Sequence, residues 1–249
     1  MDLGPTDNTV TLRRDMRGPC GAILLAVLGI AAPEGGGLSD LEAVPNPVIH
    51  SCQVVDAGRD VRRIEVISEV LKQGRQMGYS RSRIVDADQP DRVLALTQGQ
   101  GISLGTPPVG LERMPVEPIV VEDGPHLPPL WQVFGAARRS DGRWSLPVLS
   151  SQVASPDAAL HLGPQLVLLE TAAAGLAAEA AGTDHVHATS SHVMFLARGK
   201  VGPFRVDAER IAGSDGVMAV RTVLHDEGDG DRPVTAGSYQ LRVSGTRVF

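Results

Sequence analysis

Apolar residues along this chain recur at two spacings, and each spacing comes twice. Residues 22–32 and 161–182 are apolar runs rich in Leu and Ala, each associated with a Gly-Pro pair, which predicts a helix with Pro in its first turn. After each run come stretches that alternate apolar and polar positions, the pattern of strands with one buried face. "VIHSCQVV" at 48–55 corresponds to "ATSSHVMF" at 188–195, and residues 64–92 correspond to 204–232, all at one offset of 140 residues (188 − 48 and 204 − 64). Identities are few (Ser51/Ser191, Glu69/Glu209, Asp86/Asp226, Asp91/Asp231, Arg92/Arg232), so the match is one of periodicity. The Gly-Pro pairs give the helices an offset of 145 (163 − 18), which places Leu25 opposite Glu170 and Met16 opposite His161. Each copy therefore predicts a helix, a strand, and two longer alternating strands joined through Asp-rich turns.

The repeat decides how two other stretches are read. "RRDMRGPCGAILLAVLGIAAPEGGG" (13–37) has the arginines, apolar run and small-residue end of a secretory signal. Its removal would take away the helix around which the first copy's sheet must pack, so a retained, buried helix is the expected reading. "GTPPVGLERMPVEPIVVEDGPHLPPL" (105–130) carries seven prolines, which disfavour helix and central strand. It predicts a linker between two domains, from about residue 8 to 104 and from about 131 to 249.

Composition narrows the class. With 249 residues, 42% of them hydrophobic, the chain can build either one large core or two smaller ones. A formal charge of −6 argues against a broad nucleic-acid-binding face. No apolar run approaches the roughly 18 to 20 residues of a membrane span. Only Cys20 and Cys52 are present, too few for a disulfide-stapled secreted fold and compatible with free thiols in a cytoplasmic protein. Abundant Ala, Gly, Val and Arg beside few Lys is a composition of GC-rich bacterial genomes.

Candidate chemistry concentrates in the second copy. Glu170 lies in "LVLLETAAAG", where its helical neighbours Leu166, Val167, Ala173 and Ala174 are all apolar. A carboxylate on such a face loses hydration and requires compensation. Either it faces a cleft and acts as general base or nucleophile toward a carbonyl, or it reaches the helix edge and pairs with an arginine. Backbone N–H groups near Gly163, at the start of that helix, are placed to receive an oxyanion, and His161 either polarises the carbonyl or caps the turn. On the following strand, alternation predicts that Thr189 and Ser191 share a face and Ser190 points away. The histidines of "HVH" (185–187) and His192 have no ligand-spaced Cys or carboxylate beside them, so no metal is expected. Cys20, near a helix start with no visible partner, reads as a buried structural thiol. Arg62, Arg63, Arg81, Arg83, Arg198 and Lys200 are candidates for phosphate contacts or solvated strand ends.

A long helix entered by a Gly-containing turn and wrapped by an antiparallel sheet, present twice, resembles the double-hotdog acyl-CoA thioesterases. Single-domain thioesterases of the phenylacetyl-CoA type open the helix with His-Gly-Gly and carry an acid nine positions after the His, followed by Thr-Ala. Here His161 plus nine is Glu170, followed by Thr171-Ala172, although Leu162 replaces one glycine and Pro164 offers no N–H. "ATSSHVMFLARG" (188–199) is similar to the acyl-CoA thioesterase II family, in which the Thr of Ala-Thr helps to bind the catalytic water; that Thr is Thr189. The family's last-strand Gln falls on Gly237, with Ser238 and Gln240 nearby. "PNPVIH" (45–50) is similar to the hydratase signature of the same superfamily, but Val44 stands where the hydratases need Asp.

The resemblance implies an α+β fold of two tandem hotdog domains, each a long central helix wrapped by an antiparallel sheet. It implies hydrolysis of an acyl-CoA to the acid and free CoA, as in fatty acid metabolism, with Glu170, His161, Gly163, Thr189 and Ser191 as site residues. It implies no cofactor, a scaffold role for the acid-free first copy, and pairing of such chains into a homodimer. The alternative is a catalytically silent acyl-CoA or lipid-binding module.

Overall fold

In a computed structural model, residues 8–32, 45–103, 121–155 and 157–244 are described. The chain runs β1 (Thr9–Thr11), α1 (Leu25–Ala31), β2 (Pro45–Val54), β3 (Arg63–Gln73), β4 (Met77–Asp86) and β5 (Gln89–Ser103). It continues with α2 (Leu130–Val133), β6 (Ala137–Arg138), β7 (Trp144–Leu146), α3 (Leu162–Ala181), β8 (Val186–Phe195), β9 (Phe204–Ser214), β10 (Val217–Asp226) and β11 (Arg232–Val243). Most of the predicted linker, residues 105–120, lies outside the described residues. Among the described residues no helix is long and apolar enough to cross a membrane.

All eleven strands join one antiparallel sheet in the order β1-β3-β4-β5-β2-β8-β11-β10-β9-β7-β6. Apart from the outermost β6, the order mirrors itself about the β2–β8 seam, where Cys52 faces Ser191 and His50 faces Val193. The predicted strand offset of 140 survives in the buried faces of β3 and β4 against β9 and β10, where Ile64 with Phe204, Val66 with Val206, Ile84 with Leu224 and Asp86 with Asp226 are buried pairs, but it fails between β2 and β8, where buried Cys52 would match exposed His192. The two buried aspartates have different tasks. Asp226 accepts N–H groups from Lys200, Val201 and Gly202, whereas Asp86 accepts that of Asp88 and lies 3.6 Å from Arg92.

The helices depart from the predicted match. α3 follows its sequence closely: His161 caps it, Pro164 sits in the first turn, and Gly182, at φ 67°, closes it with the left-handed residue that commonly ends a helix. At 20 residues it is about 30 Å long. α1 does not begin after Gly18-Pro19. Those residues form a turn closed by a bridge from Arg17 to Ile23, and the helix starts only at Leu25. A matching bridge from Ala154 to Leu160 precedes α3. The helix starts are therefore related by 137 residues (160 − 23), not 145, so Leu25 corresponds to Leu162 and not to Glu170. The position equivalent to Glu170 is residue 33, outside the described residues.

α1 packs against α3 at Gly29. A Cβ there would lie 3.0 Å from the His50 ring and 3.1 Å from a Leu166 methyl, so hydrogen is the substituent that lets the two helices approach. This approach brings the start of α1 to the middle of α3. Gly29→Val is expected to lower stability by about 1–3 kcal/mol through overpacking, read as the midpoint of urea unfolding; an unchanged midpoint would show that α1 can draw away from α3 without cost.

Candidate active site at the junction of two helices

α1 begins without a side-chain cap of its own, since its N-cap residue is Leu24. The missing acceptor comes from α3. Glu170 Oε1 accepts the Leu25 N–H at 3.0 Å and Oε2 accepts the Ala26 N–H at 2.6 Å. Glu170 is only 5% exposed, so a carboxylate removed from water is held by two donors at the positive end of another helix. Burial pushes it up to about 7 even though the two N–H groups and the charge of His187 pull the other way. The apolar neighbours read from the sequence are therefore real, and the compensation is backbone rather than arginine.

Three strands close the space around this carboxylate. Burial, with the Glu170 charge adding to it, pushes Cys52 of β2 up to about 12. The same two causes hold the Tyr239 phenol of β11 well above its ordinary value. Ser191 of β8 pairs with both Cys52 and Tyr239, is 6% exposed, and its Oγ has no hydrogen-bond partner among the described residues. Farther along β2, burial lowers the His50 imidazole to about 4. A carboxylate near neutrality, two convergent N–H donors and a buried hydroxyl together suit proton transfer at a polarised carbonyl.

The other predicted site residues do not all converge here. His161 is nine residues before Glu170, roughly 13 Å along the helix axis, and its Nδ1 accepts the Gly163 N–H at 3.3 Å. His161 is thus a cap, and the Gly163 donor is filled by the protein itself; neither acts at the Glu170 carboxylate. Burial, followed by the charge of Arg198, lowers the His161 imidazole. Thr189 and Ser191 do not share a face as alternation predicts. The buried row of β8 runs Val186, Ala188, then Ser191 and Val193, and the register slips opposite Gln240 and Leu241. This bulge turns Thr189 to the outer face, where its hydroxyl lies 3.2 Å from the Gln240 carbonyl and 3.4 Å from Gln240 Oε1.

That outer face carries an open cleft of about 450 Å³, lined by Gln53, Val55, His187, Thr189, Gln240 and Arg242 among others. It holds the Thr189–Gln240 pair but not Glu170, which belongs to the helix side of the same sheet. Of the basic residues singled out from sequence, Arg63, Arg81 and Arg198 are in ion pairs with Asp88, Glu69 and Asp157. Cys20 is not the buried structural thiol that the sequence suggests. It is half-buried, and burial is outweighed by hydrogen bonds from His187, Ala22 and Ser244, which bring it down to about 6.

No known family model matches the sequence, and no curated protein matches it. Solved structures do match by fold. An acyl-CoA thioesterase II of Mycobacterium marinum is 13% identical with a TM-score of 0.57, covering 80% of each chain. The 12:0-ACP thioesterase of Umbellularia californica is 11% identical with a TM-score of 0.58, over 94% of this chain and 92% of that one. A conserved hotdog-fold protein of Alicyclobacillus acidocaldarius is 8% identical with a TM-score of 0.61, over 95% and 92% of the two chains. An antiparallel sheet wrapped on a long helix, with neighbours of this kind along most of its length, is a hotdog fold.

Proposed function

We propose that the chain is a thioester hydrolase built of two hotdog halves, which cleaves an acyl-CoA to the acid and free CoA at Glu170. The observation that carries this reading is the pair of N–H donors at the start of α1 converging on a buried carboxylate from α3. On binding, the thioester oxygen takes over one of the two N–H groups. The Glu170 oxygen released from it then accepts a proton from water as that water attacks the carbonyl carbon. The oxyanion forms against the N–H donor in the positive field of the helix end, and collapse breaks the C–S bond, with Glu170 returning the proton to the CoA sulfur. In this reading the Ser191 hydroxyl holds the water. A single site follows, because the donors come from one half and the acid from the other.

One observation favours a second reading. Both N–H donors are already filled by Glu170, as they would be if the carboxylate were only a structural cap in a silent acyl-CoA-binding module. Thiol release from a panel of acyl-CoAs separates the two: turnover supports hydrolysis, whereas saturable binding without turnover supports the module.

Glu170→Gln is expected to abolish most turnover, by about 100-fold or more. It should also cost about 1–3 kcal/mol, because the amide NH2 must face a backbone N–H that Oε1 or Oε2 now satisfies. Glu170→Asp retains the charge but draws it back from α1, so partial activity is expected. Full activity in Glu170→Gln at saturating substrate would remove Glu170 from the reaction.

The raised Glu170 carboxyl also sets a pH dependence. Only the ionised form accepts a proton, so kcat/KM should climb through about pH 7 and level off above it. Stability should run the other way. A carboxyl whose folded value exceeds its unfolded value of about 4.3 contributes stability that is present below that value and lost as pH rises through about 7. A flat rate profile between pH 5.5 and 8 would contradict the assignment.

A further inference from the structure

Cys20 sits in the turn that leads into α1, and β8 of the other half passes beside it: its Sγ lies 3.9 Å from the Val186 carbonyl. The next residue, His187, is near enough to lower the Cys20 thiol and shares a 3.1 Å hydrogen bond through Nδ1 with Ser244 Oγ. Arg59 ties the group together, donating to the Cys20 carbonyl at 3.1 Å and to Ser244 Oγ at 3.0 Å. A thiol, an imidazole beside it, and a hydroxyl that orients the imidazole form the arrangement of an activated nucleophile. His187 also lines the 450 Å³ outer cleft, so the cluster borders a space that can admit a ligand. The second cysteine offers a contrast in the same molecule, since Cys52 is fully buried.

We propose that Cys20, His187 and Ser244 form a thiol-exchange site, distinct from Glu170, at which Cys20 takes the acyl group from an acyl-CoA bound in the cleft. The substrate class rests on the thioester reading above. The Cys20 Sγ attacks the carbonyl carbon and forms a new thioester bond; the bond from carbon to the CoA sulfur breaks. The CoA thiolate leaves and takes up the proton that Cys20 gave to His187, so no oxidant or reductant enters. Ser244, itself held by Arg59, fixes the imidazole.

The test uses the full chain carrying Glu170→Gln, so that hydrolysis does not consume the adduct, incubated with acetyl-CoA and separately with octanoyl-CoA. Intact mass and peptide mapping are expected to show one acyl group on Cys20, removable by neutral hydroxylamine, and none on Cys52. His187→Gln should slow this acylation at least tenfold while the unfolding midpoint stays within a few degrees of the parent. Iodoacetamide provides a measurement free of any substrate assumption: at pH 7 Cys20 should react about tenfold faster than free cysteine. Acylation absent from Cys20, or unchanged by His187→Gln in folded protein, would overturn the exchange site. The hydrolysis reading fails separately, on thiol release by the parent chain and its Cys20→Ser variant: turnover retained in Cys20→Ser with no acyl-Cys20 in Glu170→Gln would leave hydrolysis standing and exchange refuted.

Discussion

A carboxylate cannot be buried alone, and the site is arranged around the way in which Glu170 meets that constraint. Its hydration is replaced by two backbone donors, and those donors exist only because α1 starts at Leu25 without a cap of its own. Each partner lacks something that the other supplies. α1, with seven residues, is too short to be stable in isolation, and the anion at its N-terminus completes its first turn. α3 brings the anion there because Gly29 lets the two helices come into contact. The two halves are thus joined by a hydrogen-bonded charge as well as by the β2–β8 seam.

The same arrangement explains why one half carries an acid while the strands of the two halves remain alike. A strand must present a buried face to a helix, and that demand is the same in both copies, so Ile64 and Phe204 or Ile84 and Leu224 stay equivalent. A residue at the meeting point of the halves answers to the other copy instead. There the donors come from α1 and the acid from α3.

The strands were legible because their signal is a period. Alternation reports burial directly, and an offset of 140 holds in the buried rows of β3 with β9 and β4 with β10. The start of the first helix was not legible in the same way, since an apolar run of eleven residues fits a helix at several phases. Gly18-Pro19 resembles Gly163-Pro164 in sequence, but Gly21 at φ 79° turns the chain before any helix begins. Glu170 was legible from its apolar neighbours. Its partners were not, because backbone N–H groups carry no side-chain signature. Thr189 and Ser191 were misjudged by a single residue: one bulge reverses the face of every position after it, and no local feature of "ATSSHV" announces it. The pairing of Cys20 with His187 joins residues 167 positions apart (187 − 20), which only the fold brings together.

Glu170 and Cys20 shift in opposite senses from their ordinary values, and both end near neutrality. The acid rises because it is dry and its compensation comes from partial charges, which stabilise the anion less than water would. The thiol falls because it is only half-buried, so burial loses to the hydrogen bonding of His187, Ala22 and Ser244. Both stand where one half of the sheet meets the other, and there the identity of each side chain is free of the repeat that governs the strands.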